Sequence, residues 1–410
     1  MTERSDPPLP FEGLVVLDLT QIYNGPYATF LLAQAGATIL KIEPPRGEHL
    51  RTRFRSPGVT EPFAVLNANK RCMTLDLKND AGREVFLELV EKADVVVENY
   101  APGVMERLGL SDAELRSRNS QLIVASGSGY GSRGPYRDYP AMDVTVQAMS
   151  GVLAVTGFPD GAPVKAGPAV SDFFGGVHLY GAIVTALYRR AMTGVGSSVE
   201  VSMMSAVYPS LLSNLGLARV GAKTTPRTGN RHGGLTMAPY NVYPTSDGAI
   251  AILSVTKAHW EAIANVLERP EWCADPRFAT FVGRVQNMNE LDREIGELTS
   301  RLTKSDLCAR LVESRVPCAP VRELSEVVDD PHLHSVGMLQ WFEHPELGRI
   351  LVHRSPLVFK DEAPAPYQAS RALGADTQNV LEELCGYDGA RISQLRQQGA
   401  FAPVADKTKE

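Results

Sequence analysis

Three features of the sequence predict an α/β fold, a doubly wound, Rossmann-like parallel sheet. Short valine-rich apolar runs recur, amphipathic stretches of helical length separate them, and glycine or proline marks their junctions. Strands separated by such helices pair in parallel through right-handed crossovers. Leu14–Leu19, bounded by Gly13, reads as a buried strand. Asn24-Gly25-Pro26 opens a helix reaching Ala35, with Pro26 suited to its first turn and Gly36 to its end. The theme repeats with strands at Thr38–Ile42, Met73–Leu77, Asp94–Glu98 and Leu122–Ala125, and a helix over Ala81–Lys92. Val177, Tyr180, Ile183, Val184 and Leu187 follow helical spacing, with Arg189 and Arg190 at the cation-favouring end and Gly194 as the stop. Val199–Met203 reads as a further strand.

The character then changes. Lys223–Gly234 is basic, glycine-rich and without period, so it reads as a loop or linker. A smaller α+β domain follows, with a strand at Ala249–Val255 and helices over Trp260–Leu267, Met288–Leu302 and Lys304–Ser314. Asp361–Ala365 is a proline-bearing break and Thr377–Leu384 a last helix. The expected division is a large domain over 1–204 with 366–410 returning to it, a linker over 205–235, a small domain over 236–330 and a second linker over 331–365.

The chain of 410 residues exceeds one compact core, which fits this division. Its net charge of −6 offers no footprint for nucleic acid. No apolar run approaches the roughly eighteen residues of a membrane span, and the polar start Met1–Pro10 lacks the apolar core of a signal peptide. The 5 cysteines (Cys72, Cys273, Cys308, Cys318, Cys385) form no C-x-x-C pair, which argues for a reducing, cytoplasmic setting and against a metal site or disulfide frame.

Gly167–Gly176, GPAVSDFFGG, carries the sharpest chemical signal. It sets Asp172 just ahead of the long apolar-periodic segment, with Gly175 and Gly176 a turn later. An aspartate of ordinary pKa, about 3.9, is ionised at neutral pH. Asp172 reads either as a helix N-cap or as a nucleophile, and the two roles are compatible. Gly129, Gly131 and Gly134 spell G-x-G-x-x-G after a strand, but Pro135 follows where a dinucleotide site needs a helix. No Walker loop, H-E-x-x-H or G-x-S-x-G occurs. Arg107, past the strand end at Asn99-Tyr100, reads equally as a phosphate partner or a solvated cation. Asp143, after Met142, is a second acidic candidate, and His232 stands in a glycine-rich loop.

Several blocks taken in order resemble one family. These are GLVVLDLT with Gly25-Pro26, ATILKIEPPRGE, NKRCMTLDLK at Asn69–Lys78, ADVVVENYAPGVMERLGL at Ala93–Leu110, the Asp143–Gly151 stretch, GPAVSDFFGG, and PCAPV at Pro317–Val321. Together they resemble the class III CoA-transferases of CaiB/BaiF type, which include formyl-CoA and carnitine CoA-transferases and their α-methylacyl-CoA racemase relatives. The resemblance implies that Asp172 is the catalytic aspartate that becomes acylated. It places coenzyme A against Leu75, Asp76, Leu77 and Lys78, against Asn99, Tyr100 and Ala101, and against Arg107. Tyr23 and Asn24 would form the loop nearest the thioester, and Pro140, Ala141, Met142 and Asp143 another wall. It further implies an interlocked, ring-like homodimer, acyl-CoA and a small carboxylic acid as substrates, and no permanently bound cofactor, nucleic acid or membrane partner.

The sequence also departs from that family. Ala101 and Pro44 stand where arginines contacting the nucleotide occur, and Met142 replaces the histidine before the aspartate of the racemases. A racemase needs an acid and a base on opposite faces of the α-carbon, so Met142 weighs against that alternative. The glycine run of formyl-CoA transferase shrinks to Gly233-Gly234, which leaves formate and oxalate without support. The amides of Gly175 and Gly176 are the candidate oxyanion donors, with His232, Gly233 and Gly234 the candidate substrate loop. Arg227 and Arg231, with His232, are candidates to meet a dicarboxylate.

Overall fold

The computed structural model describes residues 8–52, 59–219, 226–360 and 363–401. The chain start 1–7, the loop residues 223–225, residues 361–362 of the proline-bearing break and the tail 402–410 lie outside the described residues. The chain divides into two compact units. The first comprises Met1–Val146, Ala169–Val207 and Pro331–Glu410, and the second Gln147–Pro168 and Tyr208–Asp330. The stretch read as a second linker carries an antiparallel hairpin, Leu339–His344 with Gly348–His353.

The first unit is built on a six-stranded sheet. Its strands are β1 (Val15–Asp18), β2 (Thr38–Glu43), β3 (Lys70–Thr74), β4 (Val95–Glu98), β5 (Ile123–Ser128) and β6 (Ser197–Ser202). They lie in the order β3-β2-β1-β4-β5-β6, every pair parallel. The order reverses between β1 and β4, so the crevice beyond their carboxyl ends is where such sheets bind ligands. β3 ends at Thr74, short of its predicted apolar run, and the Asp76 N–H beyond it donates to the Ala400 carbonyl.

Alternation along the strands makes two cores. Leu17, Leu40, Met73, Val96 and Val124 pack with Phe86, Leu115, Val380 and Leu381 on one face. Val16, Ile39, Val95, Val97, Ile123 and Ala125 pack with Leu32, Leu179, Ile183 and Ala186 on the other. This is the two-residue period of a strand buried on both sides.

The helices that position the site or cover the sheet include α1 (Asn24–Gln34), α2 (Asp143–Ser150), α3 (Val170–Thr193) and α4 (Thr377–Cys385). By length and a mean hydropathy of 1.3, α3 also passes the test for a membrane span. Its buried residues Leu179, Ile183 and Ala186 instead belong to the sheet's second core. It starts ahead of the apolar period seen from Val177, so Asp172 falls inside it. In the second unit, strands Tyr240–Thr245, Gly248–Leu253 and Cys318–Pro320 pair antiparallel. The helix Lys257–Val266 buries Trp260, which stacks on Trp272 at 5.8 Å.

Candidate active site at the start of a long helix

Asp172 does not cap its helix. Ala169 occupies the N-cap position of α3, and Asp172 sits within the first turn without any capping bond of its own. A second carboxylate serves the turn instead: Asp143 Oδ1, at the start of α2, accepts the Ser171 N–H at 2.8 Å. That open amide is therefore served from another helix. Asp172 is left buried, and burial first, then the neighbouring Asp143 charge, pushes its carboxyl up to about 7. The expectation of an ordinary, fully ionised aspartate is corrected accordingly.

Gly175 and Gly176 lie far enough into α3 that their amides belong to its internal ladder, where each N–H bonds the carbonyl one turn back. They do not serve as oxyanion donors. What their missing side chains provide is contact between helices. A Cβ at Gly175 would fall 2.1 Å from Asn24 Nδ2, and one at Gly176 would fall 2.6 Å from the Asn24 carbonyl. The glycines thus seat the first residue of α1 beside Asp172. Asn24 Nδ2 donates to the Asp172 carbonyl at 3.3 Å, while its buried Oδ1 meets no partner among the described residues.

The turn before α1 is held under strain. Ile22, a β-branched residue, adopts φ 66°, a left-handed value such residues rarely take. Asn99 fixes that turn by accepting the Gln21 N–H and donating to the Gln21 carbonyl, both at 2.8 Å. Its carboxamide is therefore committed to the loop. Tyr23 stacks on Phe173 with ring centroids 6.0 Å apart.

A cavity of about 280 Å³ opens over Asp172. Of the residues expected from sequence, Asn24, Asn99, Tyr100, Ala101, Pro140, Ala141 and Met142 line it together with Asp172. Asp143 stands behind it, bonded to Ser171. Leu75 and Leu77 are core residues, which leaves Asp76, partly buried, and Lys78, exposed, as the side chains there with access to a ligand. Arg107 is exposed at the end of the short helix Val104–Arg107 and does not line the cavity. His232, Gly233 and Gly234 belong to the second unit, where His232 Nδ1 accepts the Gly234 N–H. Gly129 of the glycine string lines the cavity wall, and no helix follows the string until Asp143, so it is no dinucleotide loop.

Sequence reading missed the charge cluster at the end of β1. Asp18 is wholly buried with Lys70 Nζ at 3.0 Å, Lys41 Nζ at 3.9 Å and the Thr20 and Thr29 hydroxyls as donors. The cations and hydroxyls outweigh burial and hold Asp18 well below the usual carboxylate range. A signal existed: a lysine in the middle of the buried strand TILKIE needs a partner. Also missed were Gln21, Tyr130, Arg137, Tyr139 and Met203, all lining the cavity.

The model of CoA-transferase family III matches residues 11–377. Acetyl-CoA:oxalate CoA-transferase of Acetobacter aceti is 38% identical, over 82% of this chain and 87% of that protein. Succinyl-CoA:mesaconate CoA-transferase of Haloarcula hispanica is 35% identical, over 91% of this chain and 96% of its own length. The crystal structure of a CAIB/BAIF family protein from Brucella suis superposes with a TM-score of 0.80 at 31% identity, covering 92% of this chain and 100% of that one. The shared fold is a mixed α/β architecture around a central parallel sheet. The chain belongs to CoA-transferase family III and is a CoA-transferase.

Proposed function

We propose that the enzyme moves coenzyme A reversibly between an acyl-CoA thioester and a free carboxylic acid by covalent catalysis on Asp172. The observation that carries the reading is a buried carboxylate at a cavity wall, with a like charge beside it and no cation among the described residues holding it down. An Asp172 oxygen attacks the thioester carbonyl, the C–S bond breaks, and CoA leaves as thiolate, giving an aspartyl anhydride. Thiolate leaves readily because the thiol pKa is about 8.5. The thiolate then attacks the aspartyl carbonyl, releasing the first acid and leaving an aspartyl-CoA thioester. The acceptor carboxylate reverses these steps and departs as its own CoA ester. Each intermediate is as activated as the thioester, so no ATP is required.

The supporting residues take their parts from geometry. Asn24, seated by Gly175 and Gly176, gives one Nδ2 hydrogen to the Asp172 carbonyl, and its second Nδ2 hydrogen serves the acyl oxygen. Asn99 holds the strained turn, and Tyr100, Ala101 and Pro140–Met142 shape the entry for coenzyme A. Lys78 and Arg107, exposed cations near the sheet's carboxyl edge, attract its phosphates. The acid is a dicarboxylate in this reading, since oxalate and mesaconate, named for the relatives, both are. That reopens oxalate despite the short Gly233-Gly234. The exposed apolar side chains of Val177, Tyr188 and Met192 on α3 support self-association as a homodimer. The free cysteines support a reducing, cytoplasmic location.

Intact-mass analysis tests the scheme. Acyl-CoA with hydroxylamine or borohydride should leave a modification on wild type that maps to Asp172 and is absent from Asp172→Ala. No adduct, or full transfer by the variant, overturns it. Racemase chemistry has a specific observation against it: Met142, at the family's acid–base position, lines the cavity with Asp172 and cannot carry a proton. Exchange of an α-proton in deuterated water would revive that reading.

A further inference from the structure

Among the described residues lining the Asp172 cavity, Arg137 is the sole cation. The other ionisable groups there are Asp172 itself and the phenols of Tyr100, Tyr130 and Tyr139. The Arg137 side chain donates from Nε to Asp138 at 3.2 Å, in a pair whose side chains are 59% and 75% exposed. So exposed a pair is weak, and a ligand in the cavity can replace it. The arginines favoured by sequence are committed elsewhere. Arg227 donates to the carbonyls of Phe158 and Pro159, and Arg231 is bonded to Asp292 and Asn289, each at 2.7 Å.

Arg137 is also well placed on its loop. Tyr130, Tyr136 and Tyr139 pack their rings against one another with centroids 5.3 to 6.2 Å apart, bracing the segment between β5 and α2. Tyr130 and Tyr139 bring that braced segment to the cavity wall on which Arg137 lies.

We propose that Arg137 determines acceptor specificity by receiving the second carboxylate of a dicarboxylic acid while the first reacts at Asp172. This rests on the transferase reading above. A guanidinium meets a carboxylate with a two-pronged, charge-assisted fork, which a monocarboxylic acid cannot use once its single group is at the reaction centre. It also offsets the repulsion that a doubly negative acid meets beside Asp172 and Asp143.

The test compares succinate with butyrate as acceptors, using the CoA ester that labels Asp172 fastest in wild type. In Arg137→Ala the succinate-to-butyrate ratio of kcat/KM should fall about tenfold or more, as expected for losing a charged hydrogen-bond pair. The loss should appear in the KM for succinate, and Arg137→Lys should recover part of it. An unchanged ratio, or no preference for succinate in wild type, overturns the proposal. So does an equal rise in KM for the CoA donor, which would assign Arg137 to a coenzyme A phosphate. Asp172 labelling in Arg137→Ala separates the two readings: a label with no change in ratio sinks the role of Arg137 alone, while no label in wild type sinks the transferase scheme first.

Discussion

Asp18 and Asp172 are both buried aspartates of the first unit, and their surroundings drive them in opposite directions. Asp18, at the end of β1, is enclosed by Lys41, Lys70 and two hydroxyls and stays ionised far below the usual range. Asp172, at the start of α3, has Asp143 as its one charged neighbour of consequence among the described residues and rises to about 7. Both are desolvated, so burial does not distinguish them. What differs is whether the fold supplies compensation. A compensated carboxylate is a structural tie, whereas an uncompensated one is reactive and costs stability.

The largest effect belongs to Asp172→Asn. Loss of the nucleophile should lower transfer by at least about a thousandfold. The stability effect carries a defined sign. Since the folded-state pKa lies above the ordinary 3.8, the favourable contribution of Asp172 is complete below that value and is lost as pH rises through about 7. The neutral asparagine avoids this loss, so the variant's Tm should exceed wild type at pH 8 and lose that advantage at pH 4. A pH-independent difference would break the contrast with Asp18.

Lys70→Met comes next. It strands Asp18 with Lys41 at 3.9 Å as its remaining cation, and denaturant unfolding should show a loss of about 3–5 kcal/mol. A loss below about 1 kcal/mol would mean that the cluster compensates little.

A smaller effect tests how Asp172 is approached. Gly176→Ala drives a Cβ toward the Asn24 carbonyl and should cost about 1–3 kcal/mol along with kcat/KM. Gly181→Ala, in open space on the same helix, should instead stabilise by about 0.5–1 kcal/mol. Equal effects would show that packing against α1 is not what the paired glycines provide.

The smallest is Asp143→Asn. Removing that charge lowers the Asp172 pKa, so the acid limb of kcat/KM should move to lower pH, by less than about one unit because burial is the larger cause. A shift to higher pH would mean that Asp143 acts on Asp172 otherwise than by its charge.

Much of this was legible in the chain, and the rest was hidden for physical reasons. Valine-rich runs such as VVLD and VVVE announce strands buried on both faces, and the parallel sheet follows from their spacing. The covering of β3's free edge was not legible, since its acceptors, Asp376, Thr377 and the Ala400 carbonyl, lie far along the chain. Asp172 was found but its state was misjudged. The cap-like position suggested a stabilised charge, whereas Asp172 lies inside the first turn and Asp143 takes the open Ser171 amide. Asp18 and Lys70 lie 52 positions apart, and no local pattern joins them.

β3 is the outermost strand of its sheet, yet its free side does not present a row of open amides. The Cys72 N–H donates to Asp376 at 2.9 Å, Thr74 to the Thr377 hydroxyl at 3.1 Å and Asn69 to the Gln368 carbonyl at 3.0 Å. The lid over this edge is thus the segment ending in α4, made after the whole second unit. During synthesis the second unit is complete at Asp330, while the first waits with an adhesive margin until its final stretch arrives. Shortening the chain before Gln368 would therefore show itself as aggregation of the nascent protein before it showed as lost catalysis.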